Sequence, residues 1–313
     1  MKKFLKTVAL GLLALSLAGC GNASSKGDGD TDNDDNTVKI AYLPITHALT
    51  VFEEAEELKE NTELNIELVK YGSWPELLDA LNTGRVDGAS VLIELAMKSK
   101  EQGINIKAVA LGHKDGNVII VSNDINSVED LKGKTFAIPH RQSSHNILIN
   151  DALATAGLTI DDLNITELAP TEMPSALAGG QIDGYCVAEP FGAKAVALGA
   201  GKVLFSSEEL WEDSLCCGLV LTDDFINNRP EIAKQFVDSY KSAGKNLSTD
   251  RAKEIAKEYL NQDDDVLDIS LKWISYDDLD ITEETYNTLV EKVKKYGLSD
   301  NPPEYEEFVK NDL

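Results

Sequence analysis

Short apolar runs in this sequence repeatedly end at polar side chains that can bind a small molecule. The side chains at these ends, with one tryptophan beside them, are Thr46, His47, Trp74, Ser90, Arg141, Ser143, Ser144, His145, Asn146 and Glu189. Hydroxyl, amide and imidazole groups exchange hydrogen bonds with a ligand, and guanidinium and carboxylate groups supply charge. These residue types predict non-covalent binding of a small polar molecule.

The segment that follows Pro139 carries the densest group of such side chains. Ser143 or Ser144 can cap the helix predicted to follow, which leaves amide donors and the positive end of that helix facing a ligand. This arrangement suits a carboxylate, sulfonate or phosphate, and Arg141 would add a fork of donors to the same group. The alternative, in which Ser143 is only a cap and Arg141 points to water, stays open.

Glu189 and two aromatic residues predict a different part of the ligand. A carboxylate at Glu189 can pair with an amine or a ring N–H, or it can cap the next helix. Trp74 and Tyr42 offer flat apolar surface to a ring, although Trp74 stands before Pro75 and can equally pack over a helix start. Together with Arg141, these groups suit a zwitterion or a polar heterocycle better than a bare inorganic anion.

The histidines and cysteines do not form a recognisable metal motif or catalytic motif. His140 and His145 are five residues apart, which is not the spacing at which two ligands share a helical face, and no carboxylate lies between them. Cys186, Cys216 and Cys217 are predicted to be small buried residues, and a strained bond between the adjacent pair stays open. We therefore predict no metal, no cofactor and no enzymatic activity, because no phosphate loop, zinc-peptidase helix, serine elbow or evidently placed Cys–His pair is present.

The amino-terminal residues have the pattern of an export signal. A basic start is followed by the apolar run from Val8 to Leu17 and by Leu17-Ala18-Gly19-Cys20, which resembles a lipobox. The resemblance implies cleavage after residue 19, a diacylglycerol and a palmitate on Cys20, and a place on the outer face of the cytoplasmic membrane. Residues 20–36 are acidic and almost without apolar side chains, so they predict a flexible linker. An ordinary secretory signal or a membrane-spanning anchor is the alternative.

The charge of the chain argues against two classes of partner. The formal net charge is −25 at pH 7. A chain this acidic is a poor match for nucleic acid or for anionic lipid, so the charge indicates a solvated, exported surface.

An internal repeat predicts how the polar ends are positioned. The segments that begin at Glu76 and Glu172 match at an offset of 96 residues, and each combines a helix, a glycine stop and an Asp-Gly turn into a strand. The same offset carries the strand at Ile40 onto the strand at Phe136. Strands and helices alternate between these segments, and the part after Pro230 is helical. We therefore expect two similar α/β halves with largely parallel sheets and helices on both faces.

Several segments, in this order, resemble the solute-binding proteins of importers for nitrate, sulfonate, taurine, bicarbonate and thiamine-pyrimidine precursors. They are Ala41 to Ala48, Gly72 to Leu81, Gly180 to Gly184 and Ala188 to Phe191. The resemblance implies the second type of periplasmic-binding-protein fold, with two mostly parallel sheets, a hinged cleft and a helical C-terminus. It assigns residues 37–119 and 222–313 to lobe I and residues 120–221 to lobe II.

The same resemblance implies a function without chemistry. A monomer would capture a small polar organic solute or an oxyanion between the lobes, close over it, and deliver it to the permease subunits of an ATP-driven importer. Three alternatives stay open: an enzyme of the same fold acting on a pyrimidine-like molecule, a metal-binding surface lipoprotein, and an adhesive surface protein.

Overall fold

A computed structural model describes residues 36–61, 63–212 and 214–313. The predicted export signal, the lipobox at Cys20 and the predicted linker up to residue 35 lie outside the described residues. Everything below therefore concerns the folded part of the chain.

The first sheet takes four strands from the beginning of the folded part and one strand from the chain beyond the second sheet. Its order is β2-β1-β3-β11-β4, with β1 at Thr37–Tyr42, β2 at Asn65–Lys70, β3 at Gly88–Leu92, β4 at Ile106–Leu111 and β11 at Cys217–Thr222. β1 pairs in parallel with β2 and β3, whereas β11 runs antiparallel to both β3 and β4. Four strands therefore point one way, and the single reversed strand is inserted between them.

The second sheet repeats this layout. Its order is β10-β6-β9-β7-β8, with β6 at Asn117–Val121, β7 at Thr135–Ile138, β8 at Asn164–Glu167, β9 at Gly184–Ala188 and β10 at Lys202–Ser206. Ile40 pairs with Gly88 in the first sheet, and Phe136 pairs with Gly184 in the second. The predicted repeat is thus confirmed down to the register of its central strands.

The reversed strand of each sheet marks a crossing of the chain between the sheets. The chain leaves β4 and enters the second sheet as β6, and it leaves β10 and returns to the first sheet as β11. β11 therefore belongs to the first sheet, although residues up to 221 were assigned to lobe II. The lobe boundaries as such stay a prediction.

The part of the chain after Pro230 is mostly helical, as predicted. A 3₁₀ turn at Thr46–Ala48 precedes the first helix. The helices are α1 Leu49–Glu57, α2 Trp74–Asn82, α3 Ile93–Glu101, α4 Ser144–Thr155, α5 Met173–Ala178, α6 Phe191–Ala197, α7 Ser207–Leu210, α8 Asp223–Asn228, α9 Pro230–Asn246, α10 Thr249–Leu260, α11 Asp264–Ser270, α12 Glu283–Lys295 and α13 Tyr305–Phe308. Gly84 and Gly180 follow α2 and α5 with φ of 68° and 66°, so the predicted left-handed stops are confirmed.

The C-terminal helices contact both halves of the repeat. α9 and α10 pack on α1 of the first half, while α11 packs on α6 of the second. Two short strands, β5 at Lys114–Asp115 and β12 at Ile274–Ser275, pair next to the first crossing. Within the described residues, no helix combines the length and the apolar character that a bilayer crossing requires.

Candidate functional site

The turn after β1 joins the first sheet to the end of β9 in the second. The backbone N–H and the hydroxyl of Thr46 both donate to the carbonyl oxygen of Glu189, at 2.9 Å each. Tyr276 in turn donates its hydroxyl to the carbonyl of Thr46 at 2.9 Å. Both Thr46 and Glu189 are buried, so this turn lies at a junction between the two sheets.

His47 is oriented by this turn and by the first crossing. Its Nε2 lies 3.0 Å from the carbonyl oxygen of Gly116, which can only accept, so Nε2 donates. The remaining nitrogen, Nδ1, lies 3.6 Å from Sγ of Cys216. The ring also stacks on His113, with centroids 3.5 Å apart.

Four side chains meet at this point. His47, His113, Cys216 and Cys217 are all buried, and one donor atom from each lies within 4.8 Å of the others. The two sulfurs are 3.9 Å apart and both cysteines are free. The predicted burial of Cys216 and Cys217 is confirmed, but the absence of an evidently placed Cys–His pair is corrected here. No spacing rule finds this pair, because His47 and Cys216 are 169 residues apart in the chain.

Burial and close packing shift the acidity of these groups. Burial, with the neighbouring His47, lowers the pKa of His113 to about 4, so this ring is neutral. Burial alone would raise the pKa of the Cys216 thiol, but the hydrogen bond with Cys217 and the neighbouring His47 hold it well below its usual range. Burial and the adjacent Cys216 raise the pKa of Cys217 well above its usual range. Of the two thiols, that of Cys216 is therefore the more acidic.

Uncompensated polar groups from both halves surround the cluster. Neither carboxylate oxygen of Glu94, at the start of α3, has a hydrogen-bond partner, and the same holds for both ring nitrogens of His145 and the hydroxyl of Ser144. Burial raises the pKa of Glu94, and negative charge at Cys216 raises it further. Burial lowers the pKa of His145 to about 4. Each such group costs roughly 1–3 kcal/mol while it stays unpaired.

The structure brings together some of the predicted site residues. Thr46, His47, Ser144 and His145 are buried around the cluster, and Glu189 adjoins it through its backbone. The Glu189 carboxyl accepts from the N–H of Ala193 at 2.9 Å and leaves its other oxygen unpaired. Burial raises its pKa to about 8.

Other predicted site residues have different surroundings. Arg141 is exposed, and its guanidinium donates to the carbonyl of Ile165. Ser143 caps α4, as predicted, and Asn146 donates to the carbonyl of Arg141.

Two further predicted site residues are buried in the first half. Ser90 is buried within β3, opposite Leu219 of β11. Trp74 is buried at the start of α2, where its indole N–H has no partner.

Several residues of the junction were not among the predicted site residues. They are Glu94, His113, Asn117, Cys216 and Cys217. The adjacent cysteines were the one local signal, since both stand at the start of a strand that enters the sheet.

Known proteins similar to this chain share its fold and much of its sequence. A model of the group described as the NMT1-like family matches residues 31–261. The Staphylococcus aureus ligand-binding component of an ABC-type import system, solved with zinc bound, is 40% identical over 88% of this chain and 96% of its own, with a TM-score of 0.84. This likeness confirms the predicted two-sheet α/β fold.

Curated relatives match over shorter stretches. The putative aliphatic sulfonates-binding protein of Escherichia coli is 30% identical over 49% of each chain. The nitrate import ATP-binding protein NrtC of Synechocystis is 27% identical over 61% of this chain, which spans 32% of that protein's length. The chain thus spans half or less of these two relatives.

Proposed function

Since the chain belongs to the NMT1-like family, we propose that it is the extracytoplasmic solute-binding component of an ATP-driven importer. The relative from Staphylococcus aureus is a ligand-binding component of such a system, and the Escherichia coli relative is a sulfonate-binding protein. In this role the chain binds its solute between the two halves and presents the closed form to permease subunits. No chemical step is part of the proposal.

One observation carries the proposal: the buried junction holds unpaired polar groups from both halves. Glu94 belongs to the first half, and Ser144 and His145 belong to the second. Buried polar groups are almost always hydrogen-bonded, so a set of them that face one another without partners indicates a place for a small ligand. Because the groups come from both halves, a ligand that satisfies them stabilises the closed form.

The charges of the buried groups at the junction indicate which kind of solute it can bind. Sulfonate and nitrate, the ions in the names of the two relatives, are bound best by positive groups and amide donors. Here the buried ionisable residues include Glu94 and Glu189, whereas no lysine or arginine among the described residues is buried. The junction therefore favours a cargo that is neutral or cationic, and the zinc of the Staphylococcus aureus relative supports a cargo that contains a metal.

The amino-terminal residues support the rest of the proposed role. The apolar run and the Leu17 to Cys20 motif favour export and a lipid anchor at Cys20. The acidic linker behind Cys20 would then hold the binding protein near the permease at the outer face of the membrane. We further propose that it acts as a monomer, since import needs only one closed molecule per docking event.

The proposal is tested by recovering the solute from the full-length protein. The protein is purified from its native membrane, denatured, and the released small molecules and metals are identified by mass spectrometry. We expect one solute per chain, and a permease that co-purifies with the solute-loaded protein. Protein without stoichiometric solute, whose thermal unfolding is unchanged by nitrate, taurine, alkanesulfonates or divalent metals, would contradict the proposal. Conversion of the recovered solute by the purified protein would favour the enzyme alternative.

A further inference from the structure

We propose that His47, His113, Cys216 and Cys217 bind one thiophilic metal ion, of the class of Zn²⁺, through one donor atom each. The identification of this ion as cargo rests on the proposed function, whereas the coordination itself does not. All four side chains are at most 1% exposed, and their donor atoms lie within 4.8 Å of one another. Two imidazoles with two thiolates are one of the common donor sets of tetrahedral zinc.

Two of the donor separations are close to those around a tetrahedral ion. Zinc lies about 2.3 Å from sulfur and about 2.0–2.1 Å from nitrogen, so neighbouring donors around one ion are separated by about 3.3–3.8 Å. The two sulfurs are 3.9 Å apart, and Sγ of Cys216 is 3.6 Å from Nδ1 of His47. Both distances require only small adjustment, and the sulfurs are far beyond the roughly 2.05 Å of a disulfide bond.

A hydrogen bond to a backbone carbonyl fixes the ring of His47, as is usual for histidines that bind metals. Nε2 donates to the carbonyl of Gly116 at 3.0 Å, which leaves the lone pair of Nδ1 directed at the cluster. Gly116 has a φ of 84°, and a Cβ there would lie 3.1 Å from this Nε2. A glycine at position 116 thus permits the close approach that holds the ring.

A neighbouring amide is placed to support a thiolate at Cys216. Oδ1 of Asn117 lies 3.7 Å from Sγ of Cys216, where it accepts from the thiol, and Nδ2 has no partner. Rotation of the amide about its last bond exchanges these atoms, so that an N–H would donate to the sulfur once the thiol proton has left. The free donor of Asn117 is thereby explained by metal binding.

The donor set also determines which ions are expected. Sulfur and imidazole favour zinc and other soft or borderline ions, whereas magnesium and calcium prefer oxygen ligands. No carboxylate is among the four donors, although Glu94 is close enough for charge at Cys216 to act on it. We expect tight binding of Zn²⁺ and Co²⁺ and no measurable binding of Mg²⁺ or Ca²⁺.

The test uses Co²⁺ as a spectroscopic probe of the full-length, reduced protein without oxygen. One Co²⁺ per chain is expected, with thiolate-to-cobalt charge-transfer bands and the visible bands of a tetrahedral ion, all abolished by one equivalent of Zn²⁺. Cys216→Ser and Cys217→Ser should each weaken the charge-transfer bands and lower the Zn²⁺ affinity at least about 100-fold. Cys186→Ala, which removes the third buried cysteine from β9, is the matched control and should bind as the parent does.

X-ray absorption of the zinc-loaded parent protein gives a result that does not depend on how the variants fold. Two sulfur and two nitrogen neighbours are expected. A shell of oxygen and nitrogen only, binding that survives both serine substitutions, or no binding to reduced protein would overturn the assignment. If zinc is bound by two sulfurs but the native protein neither carries a metal nor associates with a permease, the proposed function fails and the metal site stands. If the native protein carries only an organic solute, the identification of the ion as cargo fails and the importer role stands, while the cobalt and X-ray absorption results decide the coordination.

Discussion

The carboxyl of Glu189 gives the molecule a titratable group whose environment changes greatly on folding. Burial raises its pKa from 4.5 to about 8. Between these values the folded protein keeps a proton that the unfolded chain has released. The contribution to stability is therefore complete below pH 4.5 and is lost as the pH rises to about 8.

We expect Glu189→Gln to remove this part of the pH dependence. The amide keeps an oxygen that can accept from the N–H of Ala193, and it carries no charge at any pH. Urea denaturation of parent and variant should give similar free energies of unfolding near pH 5. Near pH 9 the variant should be more stable, by an amount on the order of a few kcal/mol. The exposed Glu306→Gln serves as the control, and parallel curves for Glu189→Gln and the parent would show that the buried carboxyl does not titrate as described.

At the scale of single residues, the sequence identified the parts of the site that local rules can reach. Thr46, Ser144 and His145 follow strand ends, where ligands bind in such sheets, and all three are buried at the junction. That they bind a ligand stays a prediction. Arg141 was selected by the same rule, but its side chain is exposed and donates to the carbonyl of Ile165 in β8. Which way a loop side chain points depends on packing that its local sequence does not contain.

Among the elements, α4 carries Ser144 and His145 into the junction, and its start depends on Ser143. The N–H of Asn146 donates to the Ser143 hydroxyl at 3.3 Å. Ser143→Ala should lower the free energy of unfolding by about 1 kcal/mol, because a helix-end N–H loses its acceptor. Ser143→Asn keeps an acceptor without placing a charge at this buried position, and should stay closer to the parent in the same urea titration. Equal loss in both variants would mean that the hydrogen bond from Ser143 to the carbonyl of His140, and not the cap, stabilises this turn.

The loop after β4 brings two donor-carrying segments together at Gly112. A Cβ at this position would lie 2.8 Å from the carbonyl oxygen of His47 and 3.3 Å from that of Cys217, both of them backbone atoms. Gly112→Ala should therefore separate these segments, at a cost of about 1–3 kcal/mol in stability, and should weaken Co²⁺ binding. Gly72→Ala is the control, since the nearest atom to its Cβ would be 3.8 Å away. If Gly112→Ala is destabilised but its cobalt spectra are unchanged, the metal site does not depend on this close contact.

Elements were predictable from the sequence because their signals are local. Apolar runs, caps and glycine stops identified the repeated units of helix, glycine stop and strand and the helical part after Pro230. The metal cluster was not predictable in this way. Its donors lie on the turn before α1, after β4 and at the start of β11, and only the exchange of reversed strands between the sheets makes these three segments neighbours.

For the molecule as a whole, the proposed lipid anchor has a direct test. Cys20→Ala removes the only thiol that the lipobox motif offers for modification. We expect the parent protein in the membrane fraction and the variant in the extracellular or periplasmic soluble fraction, since the described residues contain no spanning helix. Metal binding by the released variant should match that of the parent. A variant that stays with the membrane would instead indicate that the amino-terminal apolar run is an uncleaved anchor.

An ion pair, here called the clamp, joins the C-terminal helix α12 to helix α4 of the second half. Lys292 of α12 lies 2.6 Å from Asp151 of α4, and Tyr296 donates to the same carboxylate. The side chains of Lys292 and Asp151 are only 19% and 12% exposed, so this ion pair is poorly screened by solvent. Since α12 packs on α13 and α13 packs on β4 of the first sheet, the pair connects the second half to the first. In the proposed opening and closing of the halves, the clamp would favour the closed form before any ligand is bound.

Asp151→Asn should shift the protein toward an open form. The loss of the pair leaves Lys292 without its counter-charge, and a cost of roughly 1–2 kcal/mol in the closed form corresponds to an apparent Zn²⁺ affinity about 5- to 30-fold weaker. Small-angle scattering of metal-free protein should give a larger radius of gyration for the variant, and excess Zn²⁺ should bring both proteins to the same compact value. Asp238→Asn breaks an exposed pair within α9 and should change neither quantity. A shift in the hinge equilibrium must change both the Zn²⁺ affinity and the metal-free radius of gyration. If the variant binds Zn²⁺ more weakly but keeps the radius of the parent, Asp151 acts through the local packing of α4 instead.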